Sequence, residues 1–246
     1  MKALVLAAGR GKRMEELSAE TNKCLLKIHG LPLVEYSLNA AASIEAVEEI
    51  VVVVGYQAES IINSYGIAYK GKPVRYRIQY EQRGLVHAIE SARPDLEGAD
   101  FILFLGDEVV INGQYDRMVE MFYAQDIYVL CGVVRQEDPE QIRKTYAVIQ
   151  SDQNQIFRLI EKPERPINNI MGTGNCFFRN AMFDYLPKVP IHHIRKEKEL
   201  PDFIQCAVDD GRLVKSHFFC ERYINVNTAD ELKAVEEHWP VINSED

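Results

Sequence analysis

The stretch Lys2-Ala-Leu-Val-Leu-Ala-Ala-Gly9-Arg-Gly11-Lys-Arg13 decides the fold. Its apolar start, residues 2–8, reads as a buried strand. The glycines after it read as a turn that wraps phosphate oxygens, since a side chain would block both the curl of the backbone and its approach. The bland alternative is a plain strand-to-loop turn. No Gly-Lys-Ser/Thr follows, so this is not a Walker loop, and Met14 stands where a dinucleotide fingerprint has its third glycine. A nicotinamide-dependent dehydrogenase on a similar sheet is thereby disfavoured.

Working outward, Leu33 to Ala42 has helical composition after Pro32, and Glu49 to Val54 is a β-branched run that reads as a second buried strand. Gln57 to Tyr65 fits a helix closed by Gly66, Val74 to Tyr80 a strand, Gly84 to Ala92 a helix ended by Pro94, and Phe101 to Leu105 a fourth strand with Gly106 and Asp107 at its carboxyl end. This alternation implies right-handed crossovers and an α/β fold with a Rossmann-like, mostly parallel mixed sheet and helices on both faces. Ligands of such sheets sit outside the carboxyl ends of the strands. The second half predicts a helix near Tyr115–Tyr123, a strand at Ile127–Val134, a hairpin-like pair around 147–160, a strand at Gly174–Phe178, a helix at Asp202–Asp209, a strand at Leu213–Phe219 and a closing helix from Thr228 to Glu237. With no repeat and no Pro/Ser-rich linker, a single domain over residues 1–246 is expected.

The 246 residues, 47% hydrophobic and 26% charged, exclude a disordered tail and a disulfide-stapled mini-protein. Lys and Arg number 28 against 37 Asp and Glu, a net charge of −9 that argues against nucleic-acid or anionic-membrane partners. An anion therefore needs a local cluster, and residues 10–27 supply one: Arg10, Lys12, Arg13, Lys23 and Lys27 outnumber Glu15, Glu16 and Glu20. The five cysteines are widely spaced without a C-x-x-C pair and read as small buried hydrophobes of a reducing compartment. Neither a signal-peptide core nor an apolar run of membrane-spanning length is present, so a cytoplasmic location is expected.

Leu6-Ala7-Ala8-Gly9-x-Gly11-x-Arg13-Met14, with Lys23 and then Gly30-Leu-Pro-Leu-Val34 downstream, resembles the signature of the sugar-1-phosphate nucleotidylyltransferases of the glucose-1-phosphate thymidylyltransferase and uridylyltransferase type. Further motifs of that family recur in order: Gln79 with Gly84, Leu105-Gly-Asp107, Glu161-Lys-Pro163, Gly172-Thr-Gly174 and Asn225-Val-Asn-Thr228. The resemblance implies the nucleotide-diphospho-sugar transferase fold, with a nucleotide-binding half over residues 1–110 and an acceptor-binding half over 111–246. Its implied reaction moves a nucleotidyl group from a pyrimidine nucleoside triphosphate to a sugar 1-phosphate or similar small phosphate monoester and releases pyrophosphate, with Mg²⁺ as cofactor. A homo-oligomer is compatible with it.

The same resemblance implies roles. The loop through Leu6, Ala7, Ala8, Gly9 and Gly11 embraces the triphosphate, while Arg13 and Lys23 hold its phosphates and stabilise transition-state charge. Asp107 is a metal ligand, joined by Asn225 or Asn227 where relatives usually carry an Asp; a turn or cap role competes for either asparagine. Gln79 and Gly84 read the base, favouring UTP or dTTP, with CTP only weakly disfavoured because the amide can flip. Leu85 follows the thymidylyl-like pattern, or is simply core. Tyr146, Ala147, Glu161, Lys162, Gly172 and Thr173 form the acceptor side, with Glu161 on sugar hydroxyls and Lys162 on the sugar phosphate. Ala147 in place of the family's Gly, and Gly172 where N-acetylhexosamine enzymes carry Asn, put the acceptor's identity in question. Adjacent His192 and His193, with Arg195, Lys196 and Lys198 nearby, read as a loop rather than a metal site. The competing function is a catalytically inactive nucleotide-sugar-binding regulatory subunit, suggested by Ala147 and the two asparagines, against which stand the retained charges of Arg13, Lys23, Asp107 and Lys162.

Overall fold

A computed structural model describes residues 1–11 and 22–238; Lys12, Arg13, Met14 and Trp239 lie outside the described residues. Strands β1 (Lys2–Ala7), β2 (Glu49–Val54), β3 (Lys72–Ile78) and β4 (Phe101–Leu105) are linked by helices α1 (Leu33–Ser43), α2 (Ala58–Tyr65) and α3 (Leu85–Ser91). They form parallel ladders in the order β3-β2-β1-β4. Continuous apolar runs in β1, β2 and β4 predict this arrangement, because a parallel strand is covered on both faces, whereas β3 carries Lys72, Arg75 and Arg77 and buries only Val74. Side chains of β1 and β2 alternate between two cores: Leu4, Val51 and Val53 pack with Val86 and Ile89 of α3, whereas Val5, Val52 and Val54 pack with Leu38 of α1 and Ile61 of α2.

The chain leaves β1 toward β2 and β3 on one side, then returns to pair β4 on the other. The order therefore reverses between β1 and β4, and a crevice opens beyond their carboxyl ends. Gly9-Arg10-Gly11 follows β1 and Gly106-Asp107 follows β4, so both motif loops meet at this reversal.

The second half extends the same sheet. After β5 (Glu108–Ile111) and α4 (Tyr115–Ala124) come β6 (Val129–Arg135), α5 (Pro139–Lys144), the hairpin β7 (Tyr146–Gln150) and β8 (Ile156–Glu161), and β9 (Ile170–Phe178). Strand β9 runs antiparallel to β4, β6 and β7 and joins the two halves, while β10 (Val214–Phe218) runs parallel to β6, with α6 (Leu200–Asp209) before it. The hairpin, β9, α6 and β10 follow the sequence reading, although β9 begins at Ile170 rather than Gly174. Pro94 does more than end α3: it sits in the first turn of a second short helix, Arg93–Leu96, where its missing N–H is harmless.

Two elements escape the sequence pattern and matter for the site. The helix α5 begins at Asp138, whose carboxylate accepts from the Glu140 N–H. Strand β5 pairs antiparallel with β11 (Arg222–Asn225) in a separate ribbon that sets Asn225 opposite Glu108. The closing helix α7 (Ala229–His238) starts with a capping box: Thr228 Oγ1 accepts from the Glu231 N–H, and Glu231 accepts from the N–H groups of Asn227 and Thr228. Its Val235 is buried against Ile28 and Leu33, which makes that face core.

Candidate active site

A cleft of about 530 Å³ lies beyond the carboxyl ends of β1 and β4. At its centre the Lys23 ammonium lies 2.6 Å from Asp107 Oδ2 and donates to Asn227 Oδ1 at 3.2 Å. Asn227 in turn donates to Asn225 Oδ1 at 2.8 Å. Four residues from three distant segments thus meet in one polar cluster, and all four line the cleft. Lys23 is 7% exposed, held in a short 3₁₀ turn by Asn22, whose Oδ1 accepts from the Cys24 N–H. Asn22 is fully buried and its amide also donates to the carbonyls of Ala7 at 3.3 Å and Tyr56 at 2.7 Å. It ties the end of β1, the turn after β2 and Lys23 together; its place beside Lys23 was the only sequence signal for this role.

The loop glycines have separate causes. Gly11 has φ +64° and a Cβ on it would sit 2.8 Å from Lys23 Cβ, so close approach and left-handed backbone both demand glycine. Among the described residues a Cβ on Gly9 would meet no atom within 4 Å, and Gly9 lines the cleft. Leu6 and Ala8 line the cleft, whereas Ala7 is buried in the core on the α1 side.

On one flank stand Gln79, at the end of β3, and Gly84, at the start of α3. Gln79 is buried, and its amide nitrogen lies 3.3 Å from the Gly84 carbonyl and 2.9 Å from His87 Nδ1. Gly84 has φ +92°, and a Cβ there would collide with the Glu197 carboxylate at 2.8 Å. Leu85 touches both cleft and core.

On the other flank Glu161 ends β8 and Lys162 follows with φ +44°, its N–H donating to the Thr145 carbonyl at 2.7 Å. The Lys162 ammonium lies 2.9 Å from Glu161 Oε1, with Arg195 at 3.5 Å from the same oxygen. Burial raises the Glu161 carboxyl above its ordinary value despite the opposing pull of Lys162. Tyr146 lines the cleft, but its hydroxyl donates to the Thr173 carbonyl at 2.8 Å, and the Thr173 hydroxyl donates to the Gly132 carbonyl at 2.9 Å. Neither hydroxyl is spare. A Cβ at Gly172 would lie 1.9 Å from Tyr146 Cε2, so the Tyr146 ring accounts for this glycine. Ala147 does not line the cleft: fully buried, it packs with Ile142 and Met171. Its methyl faces core, because neighbouring strand residues point to opposite sides.

The residue that sequence reasoning missed is Glu108. It is 3% exposed and accepts from the Gly174 N–H at 2.9 Å, the Asn175 amide at 2.8 Å and the Tyr223 hydroxyl at 2.6 Å. Burial, with Asp107 nearby, pushes its carboxyl up to about 8 even though Tyr223 and Gly174 oppose the shift. Through these bonds it ties β9 to the ribbon carrying Asn225. His192 and His193 stack on each other in a turn, with His192 Nδ1 accepting from the Arg195 N–H.

A magnesium ion prefers one or two carboxylates, completed by water and phosphate oxygens. The donors here, the Asp107 carboxylate and the side-chain oxygens of Asn225 and Asn227, are all hard oxygen atoms. Among the described residues no group of three or more His, Cys, Asp or Glu is arranged to hold a metal by protein ligands alone. One carboxylate with amide oxygens beside a phosphate-sized cleft fits a magnesium ion shared with substrate.

The family model described as nucleotidyl transferase matches residues 2–233. The UTP–glucose-1-phosphate uridylyltransferase AglF of Haloferax volcanii is 32% identical over 87% of this chain and 86% of its own length. The glucose-1-phosphate thymidylyltransferase of Streptomyces griseus is 30% identical over 88% of this chain, which spans only 59% of that protein. A solved UDP-glucose pyrophosphorylase complexed with UDP-glucose shares the fold with a TM-score of 0.85 at 17% identity, 97% of each chain being covered.

Proposed function

Because the chain belongs to the nucleotidyl transferase family, we propose that it transfers the nucleotidyl group of UTP or dTTP to a sugar 1-phosphate and releases pyrophosphate. The observation that carries this reading is the order of groups along one cleft: Gln79 and Gly84 on one flank, the Lys23–Asp107–Asn227 cluster in the middle, Glu161 and Lys162 on the other. That order matches base, phosphates and acceptor. The relatives' names for glucose-1-phosphate uridylyl and thymidylyl transfer support the same donor and acceptor classes.

In this reading an acceptor phosphate oxygen attacks the α-phosphorus in line, forming one P–O bond as the bond to the β-phosphate oxygen breaks and its electrons leave with pyrophosphate. No protein nucleophile is needed; positioning and charge neutralisation suffice. Lys23 neutralises the donor phosphates, and Arg13 has the same role by its place in the signature. Lys162, fixed by its left-handed backbone, holds the acceptor phosphate and offsets repulsion between the two anions, while Glu161 accepts from sugar hydroxyls. Asp107, with an amide oxygen of the Asn225–Asn227 pair, would hold the magnesium ion, which supplies further charge stabilisation on the phosphates when bound. The five unpaired cysteines agree with work in the cytoplasm.

The test is pyrophosphate release from UTP, dTTP, CTP, ATP and GTP, each offered with a panel of sugar 1-phosphates in Mg²⁺. Turnover with a uracil or thymine donor is expected. Failure of every pair overturns the assignment, and nucleotide-sugar binding without turnover would favour a regulatory subunit.

A further inference from the structure

Base discrimination by a glutamine depends on which end of its amide faces the base, and the surroundings of Gln79 fix that end. The side-chain atom 3.3 Å from the Gly84 carbonyl must be the nitrogen, because a carbonyl oxygen only accepts. The same nitrogen lies 2.9 Å from His87 Nδ1, so His87 must offer its lone pair there. On the far side of the ring, Arg83 Nη2 is 2.9 Å from His87 Nε2 and is also a pure donor.

A neutral imidazole has one lone pair for these two donors. Arg83 is 66% exposed and already faces Glu81 at 3.3 Å, so water replaces its bond at little cost. Gln79 is 5% exposed and has no such substitute. The lone pair therefore goes to Gln79. Reversing the amide would bring Oε1 against the Gly84 carbonyl, which the first turn of α3 holds through the Ala88 N–H. Among the described residues Gln79 Oε1 has no hydrogen-bond partner, and Gln79 lines the cleft.

We propose that His87 is a specificity-positioning residue: with the Gly84 carbonyl it turns the acceptor end of Gln79 toward the base. The proposal rests on the reading of Gln79 as the base reader. An acceptor there pairs with the N3–H that uracil and thymine share, and it opposes the bare N3 of cytosine. Selection against CTP is then built into the pocket, which the freedom of a glutamine amide alone does not provide.

The experiment is calorimetric titration of UTP and CTP at pH 8, which needs no knowledge of the sugar acceptor, with circular dichroism as the check of folding. Wild type should favour UTP by roughly 10-fold or more, the worth of one well-made hydrogen bond against an opposed one. His87→Asp, which offers only an acceptor near the Nδ1 position, should keep the preference. His87→Lys, which offers only donors, should lose or invert it. Arg83→Ala removes the competing donor and should keep or sharpen it, whatever the fate of the lysine variant. A wild type indifferent to the base, equal ratios in the Asp and Lys variants, or a collapsed ratio in Arg83→Ala overturns the role of His87. Gln79→Ala separates the two levels: if it abolishes the preference while both His87 variants keep it, Gln79 reads the base without His87, and if it leaves the preference intact, the base-reading role falls and the inference with it.

Discussion

Removing the Asp107 carboxylate tests how the Lys23–Asp107 cluster is coupled to the stability of the fold. Asp107→Ala takes away the proposed metal ligand, so turnover should be lost. It also strands the Lys23 ammonium, whose side chain is only 8% exposed and whose carboxylate partner lies 2.6 Å away. Breaking one half of a buried pair costs about 3–5 kcal/mol because the remaining charge has neither water nor partner. Asp107 is itself 26% exposed, so water can reach the gap and the lower end applies, about 3 kcal/mol. For a chain of this size that corresponds to a fall in Tm of roughly 6–12 °C. Replacing both partners should recover much of the loss, since no unpaired charge is then left buried. The assay is a double-mutant cycle of Asp107→Ala, Lys23→Met and the double variant, by urea denaturation without nucleotide or metal. Asp107→Ala within about 0.5 kcal/mol of wild type, or a double variant no more stable than the single, would refute the argument. Asn227 remains as an acceptor at 3.2 Å, and if it alone satisfied Lys23 the first of those results would appear.

Gly172→Ala should destabilise strongly, by about 3 kcal/mol, because its Cβ would fall 1.9 Å from a ring carbon of Tyr146, itself pinned through its hydroxyl; thermal melting of Gly172→Ala beside Gly172→Ala/Tyr146→Ala measures this, and the second substitution should relieve part of the loss. Glu49 gives a pH dependence: burial raises its carboxyl, but the bonds from Lys2 at 2.7 Å and Arg75 at 3.0 Å outweigh it and hold the group below its ordinary value. A depressed carboxyl stabilises the fold above its unfolded value and loses that contribution as pH falls through the folded value. Glu49→Gln should therefore cost about 0.5–1 kcal/mol at pH 7, and urea titrations at pH 7 and pH 3 should show the gap closing in acid; a gap that persists at pH 3 means the glutamate acts through shape rather than charge.

The first half of the fold was legible because β1, β2 and β4 are apolar runs closed by Gly9, Gly55 and Gly106, with helical stretches between the strands. The ribbon of β5 and β11 was not. Glu108 and Asn225 face each other across it though far apart in sequence, and four residues following Asp107 carry no pattern that names a partner. The cluster was legible residue by residue as Lys23, Asp107, Asn225 and Asn227, since each sits in an ordered motif. Asn22 and Glu108, which tie together the segments that carry that cluster, stand in no motif of the sequence; burial and their hydrogen bonds show their part.

Two residues of the expected acceptor side, Ala147 and Gly172, have packing environments that account for their type. Ala147 put the acceptor's identity in question, and with the two asparagines it was the ground for an inactive protein. Its side chain belongs to the core beside Ile142 and Met171, where a methyl adds buried apolar surface and takes nothing from the cleft. Gly172 suggested a missing acetamido contact, yet the Tyr146 ring leaves no room for any side chain there. Packing accounts for both residue types, so neither departure is by itself an argument against turnover. Among the described residues, what then bears on an active transferase against a binding subunit is the proposed metal side: one carboxylate and two amides around a lysine. A neutral amide draws a divalent cation less strongly than a carboxylate, so activity resting on Asp107 and an asparagine should need more Mg²⁺ for half-maximal turnover than the Asn225→Asp or Asn227→Asp variant. If neither variant lowers that requirement, the asparagines lie outside the metal's reach and Asp107 holds it with substrate oxygens alone.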